Sequence, residues 1–242
     1  MNYLLCLWKQ LKRSIVQKTN NKDLYFKMDN LVNNTIAFVK EQLKGAEGGH
    51  DWFHIERVYK NAMLIAKNEQ CDETAVVLGA LLHDIADSKF NDGDETVGPR
   101  VARNFLKAQN VHEDIIVHVV NIIENISFKG GNFEKKFSSP ELDIVQDADR
   151  LDALGAIGIA RAFNYGGFKG RALYDPAIAP NLKMTKEEYK NTTAPTLNHF
   201  YEKLLLLKNR MNTNTGRMLA QGRHEYMENF LAQFYGEWNA EK

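Results

Sequence analysis

The chain has 242 residues, 44% of them hydrophobic and 26% charged, which excludes a disordered or fibrous protein and allows one large domain or two small ones. Lys+Arg and Asp+Glu both number 31, so a broad electrostatic grip on nucleic acid or on an anionic membrane is excluded. Any phosphate-binding charge must be local.

Residues 1–27 carry six bases against one acid and little sustained apolar period. The apolar run Tyr3–Trp8 is far short of the ~20 residues that span a bilayer. Its bases (Lys9, Lys12, Arg13) follow it, whereas an export signal places them ahead. This stretch reads as an N-terminal extension, with the alternative of an ordinary first helix packed on the domain. The working domain is expected over 28–242, with no membrane association. Cys6 and Cys71, far apart and in no pair motif, cannot staple a chain of this size, so the expected compartment is the cytoplasm.

From Met28 onward the apolar period is close to 3.6. Leu31, Val32, Thr35, Ile36, Val39 and Leu43 share one face behind Asp29. Helices are predicted over 29–44, 52–68, 73–87, 96–109, 113–125, 140–164, 194–212 and 215–238. Ser139-Pro140 starts one of them as a cap followed by proline in the first turn. Thr215 opens the last, with Leu219, Tyr226, Phe230 and Phe234 on one stripe that serves as core or as a homodimer contact. Ser127–Asn132 and Tyr165–Gly170 are glycine-rich and read as loops. No stretch alternates polarity as a set of strands would. The expected fold is all-α, a helical bundle in one domain.

Seven histidines and fourteen aspartates among 242 residues give about 0.4 His-Asp pairs by chance, and the chain has two, His50-Asp51 and His83-Asp84. The second ends the apolar helix Ala75–Leu82, where a buried element delivers two polar side chains at its last turn. Burying an imidazole and a carboxylate without partners costs several kcal/mol, and a divalent cation satisfies both. Imidazole with carboxylate suits Mn, Fe, Zn or Ni better than a soft metal. His54 lies in a helical frame beside Ile55, Val58, Ala62 and Ile65. Asp147-Ala-Asp149-Arg150-Leu151-Asp152 places acids in a helix that otherwise reads as core, a natural source of a further ligand. Asp147 and Asp149 stand about 200° apart round a helix, so both cannot reach one ion.

The order His54 … His83-Asp84 … Asp149 resembles the H…HD…D signature of the HD-domain phosphohydrolase superfamily, with matching flanks in His54–Val58, Leu81–Ile85 and Ala148–Leu151. The resemblance covers about residues 30–236. It is closest to a bacterial branch that includes manganese-dependent nucleoside triphosphate pyrophosphohydrolases, through Gly49–His54 and the Tyr201–Leu207 region. It implies one divalent ion, with Mn expected and Fe, Ni, Zn, Co or Mg as alternatives, on His54, His83, Asp84 and Asp149. It implies a small phosphorylated substrate, a nucleotide, hydrolysed at a phosphate ester or anhydride, with a triphosphate giving monophosphate plus pyrophosphate. A monophosphate phosphatase, a phosphodiesterase or a non-catalytic nucleotide-binding module shares the same features.

Asp87, three residues after Asp84, matches an acid that in related HD enzymes positions or deprotonates the attacking water. Lys89 pairs with a substrate phosphate or with the acids Asp92, Asp94 and Glu95. Arg57 and Arg150 have the rigid fork that suits phosphate oxygens, or else form ion pairs with Glu56 or Asp152. His50, four residues before His54, faces the same pocket and supports the ligands or the substrate, or else is a plain N-terminal helix residue. Lys169 and Arg171, in the loop expected over Tyr165–Arg171, form a plausible mouth for a phosphate ester. His112, His118, His199 and His224 show no ligand spacing, and Val119–Ser127 holds no extra histidine for a second ion.

Overall fold

A helix that is apolar on every side has to lie in the middle of a fold. The run Ala75–Leu82 does so, with every one of its residues buried. The computed structural model describes residues 22–45, 51–85, 94–126, 137–185, 188 and 191–242, with side chains from Met28. Among these the regular structure is helical and no strand occurs. The elements are α1 (Lys22–Gln42), α2 (Trp52–Ala66), α3 (Glu73–Leu82), α4 (Val97–Ala108), α5 (Glu113–Asn125), α6 (Pro140–Asp152), α7 (Gly155–Phe168) and α8 (Asn198–Glu202). A 3₁₀ helix (Leu204–Arg210) and α9 (Asn214–Trp238) complete the order. No helix among the described residues is long and apolar enough to cross a membrane.

The central α3 is surrounded by α1, α2, α5 and α6. A Cβ on Gly79 would meet the Ile122 side chain at 3.2 Å, so glycine lets α3 and α5 approach closely. Asp72 caps α3 by accepting from the Thr74 and Ala75 amides, and its own amide donates to the buried Glu141 of α6 at 2.8 Å. Ser139 caps α6 by accepting from the Leu142 amide, with Pro140 in the first turn as predicted.

The all-α bundle agrees with the sequence expectation, and several element boundaries differ. The helix expected over 29–44 begins at Lys22 and runs through position 28. The helix expected over 140–164 is two helices, because Leu154 is extended and Gly155 has φ +70°. A Cβ there would also press on the Arg223 side chain at 3.1 Å. The segment expected as a loop at 165–170 is helical to Phe168, since Gly166 lets α7 sit against Thr196 where a Cβ would overlap the threonine hydroxyl. The helix expected over 194–212 is α8 and the 3₁₀ turn, broken at Lys203. In the 3₁₀ turn Leu204 and Leu207, three residues apart, stack on the buried face. Thr213 caps α9, accepting from the Gly216 amide at 2.9 Å, so that helix starts at Asn214, one residue before Thr215. The Ser127–Asn132 expectation lies outside the described residues.

Candidate metal centre

The first turn of α2 fixes one histidine. Asp51 caps this helix by accepting from the His54 amide at 3.0 Å, which gives the His50-Asp51 pair a structural role for its acid. The His54 ring is 3% exposed, and its Nδ1 donates to Asp152 Oδ2 at 2.8 Å. In a neutral ring that bond makes Nε2 the lone-pair nitrogen, and Asp149 Oδ1 lies 3.5 Å from it. The second histidine caps the C-terminus of α3. There His83 Nδ1 donates to the Ala80 carbonyl at 2.9 Å, one of the acceptors a helix end leaves without an intrahelical partner. The two rings meet edge to face with centroids 5.3 Å apart.

One ligand atom from each of His54, His83 and Asp149 lies within 4.8 Å of the other two. Two ligands about 2.1 Å from a shared ion stand roughly 3.0–3.4 Å apart in octahedral or tetrahedral geometry, close to the His54–Asp149 separation. Both imidazoles use Nδ1 as a donor to the protein, the arrangement that leaves Nε2 for a metal. Two nitrogens and a carboxylate therefore fit a borderline divalent ion. The floor is buried at His54 and the rim is open at Asp149, whose side chain is 42% exposed. Asp84 follows His83 in the same turn, half-buried and outside that group of three.

Beneath the centre, Asp152 gathers hydrogen bonds from two helices, α2 and α7. It is 1% exposed and accepts from His54, from Arg57 Nε at 2.5 Å and Nη2 at 3.0 Å, and from Arg161 Nη1 at 2.6 Å. A carboxylate in the last turn of a helix faces the negative end of its dipole, so it needs such compensation. Burial alone would push its carboxyl up. Hydrogen bonds from His54 and Arg57, with the charge of Arg161, outweigh burial and hold Asp152 well below the usual carboxylate range. Arg223 of α9 closes the group by donating to the Leu151 carbonyl and to Asn61 Oδ1. In the sequence Asp152 stands out only as the end of the acidic run and as an arginine partner. Its spacing of three from Asp149, which puts both on one face of α6, is the signal that identifies it.

The other expected site residues divide clearly. Arg57 takes the ion-pair alternative on Asp152. Arg150 pairs with Asp147 at 3.1 Å and donates to the Arg210 carbonyl at 2.8 Å, on the side of α6 facing the 3₁₀ turn and α9. Asp147 is fully buried there, accepting from the Asn212 and Thr213 amides and the Thr213 hydroxyl. Lys169 and Arg171 lie more than two helical turns beyond Arg161, the residue of α7 that touches Asp152. There Lys169 sits over the Tyr165 and Phe168 rings, and Arg171 donates to the Thr192 carbonyl. His50, Asp87 and Lys89 lie outside the described residues. His118 bonds Ser139 and Glu141, and His224 bonds Glu228, so neither joins the centre.

The family model described as the HD domain matches residues 52–154, which include His54, His83, Asp84, Asp149 and Asp152. The chain is 38% identical over 200 residues to the uncharacterized protein YpgQ of Bacillus subtilis (strain 168), covering 81% of this chain and 88% of that one. The crystal structure of an HD-superfamily hydrolase from Bacillus thuringiensis superposes with a TM-score of 0.72 at 44% identity, covering 88% of this chain and 99% of the other. The crystal structure of Bacillus subtilis YpgQ in complex with ADP superposes with a TM-score of 0.70 at 33% identity, covering 87% and 96%. Ligand geometry, fold and relatives agree on one conclusion: the chain belongs to the HD superfamily of metal-dependent phosphohydrolases.

Proposed function

We propose that the protein hydrolyses a nucleoside triphosphate to the monophosphate and pyrophosphate, using one divalent ion, Mn²⁺ by preference. The observation that carries the metal reading is the convergence of His54, His83 and Asp149 within 4.8 Å, each histidine held by its Nδ1. Asp84 is proposed as the fourth ligand from the turn that carries His83. Nucleotide specificity is supported by the similar YpgQ, crystallised with ADP, a nucleotide bearing a polyphosphate chain. The two widely spaced cysteines accord with a cytoplasmic enzyme.

A divalent ion bound here supplies Lewis-acid charge to a phosphoryl oxygen and acidifies water near neutral pH. The protein's own contribution is geometric. The Asp152 carboxylate and the Ala80 carbonyl fix both imidazoles, the buried floor under His54 excludes solvent from one side, and the exposed Asp149 edge admits substrate. Asp87, in the segment after His83-Asp84, is proposed to orient the attacking water, and Lys89 to take phosphate charge. Attack on the α-phosphorus sends off pyrophosphate, whose contacts remote from the reacting atom help to orient it.

The test is incubation with a deoxynucleoside triphosphate panel and Mn²⁺ in ¹⁸O-labelled water, with products assigned by mass. Label in the monophosphate is expected. Label in orthophosphate, or faster release from monophosphates than from triphosphates, replaces this reading with a phosphatase.

A further inference from the structure

The Asp152 carboxylate is 1% exposed beneath α2 and α7, so it is itself closed off from a substrate. Its three partners come from two helices: His54 and Arg57 one turn apart on α2, and Arg161 on α7. The Arg57 contact uses Nε and Nη2 on the two carboxylate oxygens, a fork that permits little rotation. Arg161 binds both the carboxylate and the backbone carbonyl of Asp152, at 2.6 and 3.2 Å, tying its side chain to the helix end. With both oxygens oriented in this way, Oδ2 presents one direction to the His54 ring. A neutral imidazole facing it can bond only with its proton on Nδ1, which leaves Nε2 as the lone-pair nitrogen on the side of Asp149 and His83.

We infer that Asp152 is a positioning residue for the metal centre, held by Arg57 and Arg161 so that His54 keeps the tautomer and ring plane that present Nε2 to the ion. The inference rests on the reading of His54 as a metal ligand. A carboxylate in this place increases the donor strength of the imidazole and removes its rotational freedom, and loss of such a partner typically weakens metal binding by about 10–100-fold. Arg57 and Arg161 act through Asp152, which accounts for two arginines beside a phosphohydrolase centre without assigning either to substrate.

The experiment uses the full chain stripped of metal, with ¹⁵N-labelled histidine, and compares the wild type with Asp152→Asn. The wild type is expected to show His54 with Nδ1 protonated and to bind Mn²⁺ calorimetrically at about one ion per chain. In Asp152→Asn the His54 signals shift toward a mixture of tautomers, and Mn²⁺ binding weakens by about 10–100-fold while the helical circular dichroism persists. Unchanged Mn²⁺ affinity and tautomer in a destabilised Asp152→Asn make the residue merely structural and overturn the inference, leaving the ligand reading intact. The wild-type spectrum decides even if the variant fails to fold, because His54 protonated on Nε2 overturns the inference directly. A wild type that takes up no Mn²⁺ overturns the ligand reading, and this inference with it.

Discussion

Asp147 and Asp149, two residues apart on α6, serve opposite sides of the helix: Asp149 Oδ1 lies 3.5 Å from His54 Nε2, whereas Asp147 Oδ2 lies 2.8 Å from the Thr213 amide that opens α9. Their asparagine variants should therefore fail in different assays. Asp149→Asn is expected to lose most bound metal while keeping its urea midpoint. Asp147→Asn should retain the metal and lose roughly 2–4 kcal/mol of stability, because the Asn212 and Thr213 donors and the Arg150 guanidinium lose a buried carboxylate. Metal analysis beside urea unfolding separates the two, and the reverse pattern would exchange their roles.

Among the histidines, His83→Ala is expected to reduce metal content to a small fraction of one ion per chain with the helical signal intact. His118→Ala and His224→Ala should leave it near one, since those side chains bond Ser139, Glu141 and Glu228 away from the centre. Elemental analysis of the purified variants is the measurement. Full metal content in His83→Ala would remove that residue from the site.

The hinge between α6 and α7 depends on one residue. Gly155→Ala places a side chain at φ +70°, where an L-residue costs roughly 1–2 kcal/mol, and it pushes against Arg223 at 3.1–3.2 Å. A total loss of about 2–3 kcal/mol is expected, read as a lower urea midpoint at unchanged slope. A midpoint equal to wild type would show that the hinge tolerates a Cβ.

His199 provides a pH dependence of folding independent of the metal. Burial, then the charges of Lys203 and Arg171, push its imidazole down to about 4. The unfolded chain takes up this proton near 6.5 and the folded chain only near 4, so between those values the unfolded state binds more protons and stability falls as pH falls. The loss is on the order of 3 kcal/mol by the lower end of that window. His199→Gln should flatten the slope of unfolding free energy between pH 6.5 and 5. An unchanged slope would assign the dependence to other groups.

The parts of the fold visible in the sequence were those that depend on local pattern. The all-apolar run Ala75–Leu82, the Ser139-Pro140 start and the His54, His83 and Asp149 convergence follow from periodicity, capping chemistry and the resemblance of the motif. Features that depend on a distant neighbour were misread. Gly155 and Gly166 look alike in sequence, yet the first breaks a helix under Arg223 while the second lies inside one because Thr196 is close. Arg57 and Arg150 each carry a phosphate-binding fork, and only their packing shows that Asp152 and Asp147 occupy it. Asp152 was overlooked as a site residue for the same reason: its partner His54 stands 98 residues away.

The complete burial of α3 has a consequence for how the protein behaves without its ion. Backbone amides in a helix enclosed on all sides exchange with solvent only when the whole domain opens, so those of Leu78–Leu82 should be among the slowest to take up deuterium. His83 hangs from the end of that segment, its Nδ1 bound to the helix's own Ala80 carbonyl. Stripping the metal should therefore leave this ligand in place, and reloading should proceed at the rate of ion binding without a slow refolding phase.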